Sequence, residues 1–346
     1  MNKRSLQGLI VMMILLGSLM SASSFVSGQA LGTRERPIYM LLVPSTEATG
    51  LEARGKEIAE ALYDKTGLYI KVSLQADYAA MVEAFASSEG DAFGFVTTDQ
   101  YIRIYQLTNG NITPRLGAVR NGYPYYFSRI YAPRDSEMNS LRDLDGKTWI
   151  YSDRGSTSGC VLPKMLFDSL GISFNNIVES GGHINSMIAL LEGQGDFCTG
   201  YGNPPLPPTD WSGVTWKSGD DPELWIWDRW NNDLYREELR GTCMDLRRGI
   251  RNIYNLDDVI RRIGVLAVIG PIPNDCLAFG PDFPVDVSDR IVAAVEDQLG
   301  TEAGKALWGD GFYGWTAATE IDDSYYDSYR QFLGLPTQEK SSSTQR

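Results

Sequence analysis

The sequence predicts an α/β protein of two lobes, each a mainly parallel sheet flanked by helices, the two joined by two crossing segments. Three observations carry this. The chain is 346 residues long with 43% hydrophobic content, enough for two cores. A β-α-β-α-β alternation occupies the first hundred residues after the leader. A second α/β unit of similar size recurs from Lys147 onward.

The N-terminus sets the compartment. Lys3 and Arg4 precede an apolar run, residues 9–20, and then the small residues of 21–30, the layout of a secretory signal peptide over 1–30 cleaved near Gly28 or Ala30. The run is short for a bilayer span, no later stretch offers about 18 uninterrupted apolar residues, and no cysteine near the cleavage point could carry a lipid. A periplasmic or extracellular chain follows. Its four cysteines, Cys160, Cys198, Cys243 and Cys276, then sit where disulfides are permitted, and four cysteines allow three pairings.

In the first lobe, residues 38–44 read as a buried strand, 45–50 as a turn, and Ile58, Ala61 and Leu62 as the inner face of a helix ending at Gly67. A second strand covers 68–74. Asp77 caps a helix with Met81, Val82, Ala84 and Phe85 on its apolar side, and 90–96 returns as a third strand. In the second lobe, a strand at 147–151 leads through Gly155-Ser-Thr-Ser-Gly into a helix over 162–170; a helix over 184–191 and a strand at 196–199 follow. The crossings fall at 123–133 and 265–273, and helices at 288–299 and 324–333 return to the first lobe. The expected division is 37–128 with 268–335 for lobe one, 129–267 for lobe two, and a polar, disordered tail at 336–346. Within lobe two, 203–245 is a Pro- and Trp-rich insertion whose Trp211, Trp216, Trp225, Trp227 and Trp230 read first as packing groups and second as a platform for a ring-shaped ligand.

A formal charge of −13 excludes nucleic acid as partner, since a phosphate backbone needs basic surface. It leaves room for one small anion, held by locally aimed N–H and O–H groups. One histidine and no CxxC pair argue against a metal site, and no cofactor motif is present. The string from Gly155 to Lys164 is either an oxyanion cradle, with two glycines, three hydroxyls and a helix start, or a simple helix cap. It lacks the Gly-Lys-Ser/Thr of a Walker loop, and Thr157 stands where a nucleophile elbow needs serine.

Several motifs in a fixed order resemble the phosphate/phosphite/phosphonate-binding proteins of ABC transporters. They are Pro44-Ser-Thr-Glu, the Asp77-Tyr-Ala-Ala-Met stretch with Gly90-Asp91 after it, Tyr126 ahead of Ser128 and Asp135-Ser136, Ser156-Thr-Ser-Gly with Pro163, Gly182-His183, and Gly195-Asp196. The likeness runs from about residue 38 to 283, broken by the insertion. It implies a periplasmic-binding-protein fold of type II, a non-enzymatic importer subunit with a membrane permease as partner, and a phosphorus oxyanion held by Tyr78, Tyr126, Ser156, Thr157, Ser158 and His183. Relatives that take aminoalkylphosphonates add two carboxylates for the ammonium. One matches Asp275; Asn203 stands at the other, with Tyr201 a further candidate beside the fourth substituent on phosphorus. The alternatives are a binding protein for another small solute or a sensor-linked receptor of the same fold, and a secreted hydrolase using Ser158, His183 and an aspartate.

Overall fold

A computed structural model describes residues 30–337 apart from 46, 47 and 310, and the backbone alone of 48 and 49. The signal-peptide expectation and most of the expected tail lie outside the described residues.

The run Ile38–Leu42 (β1) is apolar and, Tyr39 apart, buried, as suits a parallel strand inside a sheet. Helix α1 (Ala48–Thr66) presents Leu51, Ile58 and Leu62 to the core at helical spacing. Ile70–Leu74 (β2) pairs parallel to β1, and Asp77 starts α2 (Tyr78–Ala86) by accepting from the Ala80 N–H at 2.7 Å. Ala92–Val96 (β3) pairs with the other edge of β1, also in parallel. Helix α3 (Thr98–Leu107) then opens on a Thr97/Gln100 capping box, and Thr113–Val119 (β4) follows.

The chain crosses on Tyr125–Pro133 (β5) into the second sheet. There it forms Thr148–Tyr151 (β6), α4 (Leu162–Leu170), Asn176–Glu179 (β7), α5 (His183–Leu191) and Phe197–Gly202 (β8). A two-residue pair, Trp227–Asp228 (β9) with Asp233–Leu234 (β10), lies in the insertion. Helix α6 (Leu256–Arg262) leads to the long return strand Ile263–Pro273 (β11), then Cys276–Phe279 (β12), α7 (Val285–Leu299), α8 (Glu302–Trp308), Ala317–Glu320 (β13) and α9 (Asp327–Phe332).

The sheets are ordered β2-β1-β3-β12-β4-β13 and β7-β6-β8-β5-β11. Parallel pairing is confined to β2-β1-β3 and β7-β6-β8; the strand arriving from the other lobe, β12 or β5, docks antiparallel beside the third. The expected mainly parallel sheets are therefore mixed, because each lobe is closed by chain returning from its partner. The two crossings are hydrogen-bonded neighbours: β11 pairs with β5 from Ile263↔Pro133 to Pro273↔Tyr125. Asn274, fully buried, ties this ribbon to lobe one by donating to the Ala118 and Tyr123 carbonyls at 2.8 and 3.0 Å.

The insertion packs on lobe two. Trp216 and Trp225 cover Phe127, and the Arg134 guanidinium lies 3.7 Å above the Trp227 ring, whereas Trp230 is 95% exposed. Beneath them runs a buried ion network. Asp245 is held by Arg129 at 2.6 Å and Arg247 at 2.7 Å, and Glu223 by Arg247 at 2.5 Å and Arg134 at 2.6 Å. Gly202 is obligatory beside it, since a Cβ there would lie 2.1 Å from Arg129 Nε. All four cysteines are buried free thiols.

Candidate functional site

The Ser-Thr-Ser loop follows β6 and is shaped by its own hydrogen bonds. Asp153 accepts from the N–H groups of Gly155 and Ser156, at 2.6 and 3.0 Å. Ser156 Oγ then accepts from the Gly159 N–H at 3.1 Å, while its carbonyl takes the N–H groups of both Cys160 and Val161 at 3.0 Å. That double acceptance widens the turn over Thr157–Val161 into a π turn, a distortion frequent at ligand sites. Gly159 is required, because a Cβ would stand 2.2 Å from Ser152 Oγ.

The loop's carbonyls are tied to the sheet behind it. Ser128 Oγ donates to the Ser158 carbonyl at 2.7 Å, and Thr199 Oγ1 donates to that of Gly159. The N–H groups of Thr157 and Ser158 have no acceptor among the described residues. Acceptors are thus turned inward and donors left over, the polarity that an oxyanion needs.

Lobe one meets this loop with two groups. Tyr78, at the start of α2, is 4% exposed and backs directly on Gly155, where a Cβ would come within 2.7 Å of its own Cβ. The Asp99 N–H at the start of α3 donates to Thr157 Oγ1 at 3.1 Å, bridging the cleft. Tyr126, on the crossing strand β5, is hydrogen-bonded to Ser158 and Thr157. Burial pushes both phenols well above the usual range, with hydrogen bonds from the loop hydroxyls acting the other way, so both keep their protons and remain donors.

His183 begins α5, with Nε2 3.2 Å from Ser156 Oγ and its ring edge-on to Tyr201 at 5.2 Å. Burial lowers its pKa to about 4, so the imidazole is neutral near pH 7. With the proton on Nε2, it donates to a Ser156 oxygen that already accepts from Gly159, which leaves the Ser156 O–H free to donate into the cleft.

The structure therefore brings Tyr78, Tyr126, Ser156, Thr157, Ser158 and His183 together. The remaining three lie beside this group with partners of their own. Tyr201 rests its ring on His183 and its phenol at Gly249, where a Cβ would lie 3.1 Å from the oxygen. Asn203 is held by its backbone, its main-chain carbonyl accepting from Arg129 at 2.8 Å and its main-chain N–H donating to the Met244 carbonyl. Asp275 is not a lone carboxylate: Arg120 Nη2 lies 2.5 Å from one oxygen and Trp315 Nε1 donates to the other at 3.0 Å. Sequence reading passed over Arg120 and the Asp99 N–H. An isolated arginine between Val119 and Asn121 carries no signal, whereas the Thr97/Gln100 box is one for a helix start.

The hydrolase reading loses its geometry here. His183 Nε2 faces Ser156 instead of Ser158, and Nδ1 has no hydrogen-bond partner among the described residues, so no aspartate orients the ring. Among the described residues no group of three or more His, Cys, Asp or Glu is placed to hold a metal ion, and no helix is long and apolar enough to cross a membrane.

Over 178 residues the chain is 28% identical to the phosphate-import protein PhnD of Mycolicibacterium smegmatis, covering 46% of this chain and 53% of that protein. The chain thus spans about half the length of this curated relative. Among solved structures, a binding-protein component of an ABC phosphonate transporter from Pseudomonas aeruginosa superposes with a TM-score of 0.65 at 15% identity, over 86% of this chain and 85% of that one. PhnD1 from Prochlorococcus marinus, in complex with methylphosphonate, gives 0.60 at 13% identity, over 86% and 98%. At such identities the likeness concerns the fold, that of two-lobed binding proteins. The family described as ABC transporter, phosphonate, periplasmic substrate-binding protein matches residues 40–326, and the chain belongs to it.

Proposed function

We propose that this chain is the exported solute-binding component of an ABC importer, that it captures a small phosphorus oxyanion between its lobes, and that it hands the ligand to a membrane permease. The observation that supports this most is the convergence of donors on one point: the Ser156–Ser158 hydroxyls and free N–H groups from lobe two, Tyr126 from the crossing, and Tyr78 from lobe one. Hydroxyls and N–H groups satisfy a tetrahedral anion without a full cationic clamp, which suits a chain whose overall charge is −13.

Capture proceeds by closure. The anion docks on the Ser-Thr-Ser loop, the lobes swing together about the β5–β11 ribbon, and water leaves, so each hydrogen bond works in a lower dielectric. The closed face then differs from the open one, and a permease can tell loaded from empty protein. Periplasmic or extracellular residence and the absence of catalysis belong to the same proposal.

The test is calorimetry and thermal shift on ligand-stripped protein with phosphate, phosphite, methylphosphonate, aminoethylphosphonate and sulfate. Ligand at a hundred times its dissociation constant adds about 2.7 kcal/mol of stability. One phosphorus oxyanion should stand out, and Ser156→Ala or Tyr126→Phe should each weaken it about tenfold, a net charge-assisted hydrogen bond of about 1.5 kcal/mol. A flat response to all five would assign the cleft to another solute.

A further inference from the structure

The Asp275 carboxylate, which the resemblance matches to a position that receives a ligand ammonium in relatives taking aminoalkylphosphonates, is already paired. It immediately precedes β12, whose first residue, Cys276, pairs with Val96 on one side and Gly117 on the other. That register sets Asp275 beside Thr97, the cap of the helix whose Asp99 N–H reaches Thr157, and beside Ala118, whose N–H donates to the Asp275 carbonyl at 2.9 Å. The side chain therefore stands at the edge of the lobe-one sheet that faces the loop. Arg120 arrives there from the end of β4 and is fixed twice: Nη2 lies 2.5 Å from Asp275, and Nε donates to the Tyr313 carbonyl at 2.8 Å. Trp315 clamps the second carboxylate oxygen. Both side chains keep about a seventh of their surface, 14% and 15%, so the pair lines a wall instead of vanishing into a core. Nη1 of Arg120 has no partner among the described residues.

We infer that Arg120 determines which phosphorus ligands the cleft admits, by neutralising Asp275 and so removing the free carboxylate that a ligand ammonium would require. The inference rests on the phosphorus-oxyanion reading of the site. Its physical basis is charge counting in a partly dehydrated cleft. An ammonium brought against a carboxylate that already holds a guanidinium gains little and meets a like charge, whereas an oxyanion with a hydroxyl, hydrogen or methyl substituent meets a wall of no net charge and a spare N–H. The Tyr126 phenol is within electrostatic reach of both groups: after burial, Asp275 raises its pKa and Arg120 lowers it. The ligand class is an unsubstituted or short-alkyl phosphorus oxyanion, not an aminoalkylphosphonate.

The experiment measures dissociation constants of methylphosphonate and aminoethylphosphonate by calorimetry for the wild type, Arg120→Met, Asp275→Asn and the double variant. The wall carries charge 0, −1, +1 and 0 in that order. Preference for methylphosphonate over aminoethylphosphonate should rank Asp275→Asn first, wild type and double variant together next, and Arg120→Met last, with at least tenfold between wild type and Arg120→Met. Each variant is checked for a cooperative melt. If Arg120→Met does not fold, Asp275→Asn still carries the test, since it must increase the preference. Arg120→Lys should keep the wild-type ratio. A ratio that Arg120→Met and Asp275→Asn leave unmoved overturns the inference while phosphorus binding stands. Tight aminoethylphosphonate binding by the wild type overturns it directly. No phosphorus ligand binding at all would remove the underlying reading and this inference with it.

Discussion

A neutral imidazole at the hydrogen-bonding heart of the proposed anion site makes stability depend on pH in a defined way. Burial lowers the His183 pKa from its ordinary 6.5 to about 4, so between those values the unfolded chain binds a proton that the folded chain does not. Stability contributed by the neutral ring is complete above pH 6.5 and is lost as pH falls toward 4, by up to about 3 kcal/mol at roughly 1.4 kcal/mol per unit. Melting curves of wild type and His183→Gln from pH 7 to 4 should converge on acidification; parallel curves would mean the ring titrates freely. At this scale the sequence was legible where motif and backbone chemistry coincide. Ser156, Thr157, Ser158, Tyr78, Tyr126 and His183 meet because a glycine on either side of the loop admits them. Asp275 was legible as a position but not as a charge state, because its partner Arg120 is 155 residues away in sequence and only sheet register joins them.

Among the elements, the Trp-rich insertion owes its place to ions as much as to rings. Burial alone would raise the Asp245 carboxyl; Arg247 and Arg129 overcome that and hold it below the usual carboxylate range. Breaking such a pair strands a buried charge, so Asp245→Asn or Arg247→Met should cost about 3–5 kcal/mol in denaturant unfolding. The double variant should cost clearly less than the sum of the two, and additivity would show that the groups are not coupled. Sequence reading placed the tryptophans on a packed insertion, and Trp216, Trp225 and Trp227 are buried, but nothing in the spacing of the arginines announced the network beneath them. It also missed β7, whose Asn176–Glu179 lacks an apolar face, and β4, which Pro114 interrupts; a register shift between Leu277 and Ala278 accommodates that proline. The strands it did find include β1 and β3, whose nearly complete burial enforces an apolar run.

For the molecule as a whole, the β5–β11 ribbon is the joint about which the proposed closure turns. Its lobe-one end depends on Asn274, whose side-chain amide donates to two carbonyls while its backbone carbonyl accepts from Tyr326 at 3.0 Å. Asn274→Ala takes its donor from the Ala118 carbonyl and leaves the Tyr123 carbonyl with the Arg120 N–H alone, at a cost of about 1–3 kcal/mol. Hydrogen exchange should quicken across residues 118–126, and ligand binding should weaken although no contact residue has changed. Unaltered exchange there would place the joint elsewhere. The two-lobed plan was legible because the β/α alternation repeats and because Tyr125–Pro133 and Ile263–Pro273 stand between the repeats; their pairing with each other, which makes the joint a ribbon instead of two strings, is a long-range contact that periodicity does not encode.

The unpaired cysteines turn the molecule into its own recorder. Cys276 lies in the lobe-one core, Cys198 and Cys160 in the clusters on the two faces of the second sheet, and Cys243 in the cluster under the insertion. Burial pushes every one of these thiols up, Cys160 and Cys243 to about 12, so an alkylating reagent reaches each only when its own cluster breathes. Timed labelling read by mass at each site would rank the four clusters by how often they open, without a probe being added. Cys160, on the turn that follows Ser156, would be the one whose clock slows when the cleft is filled.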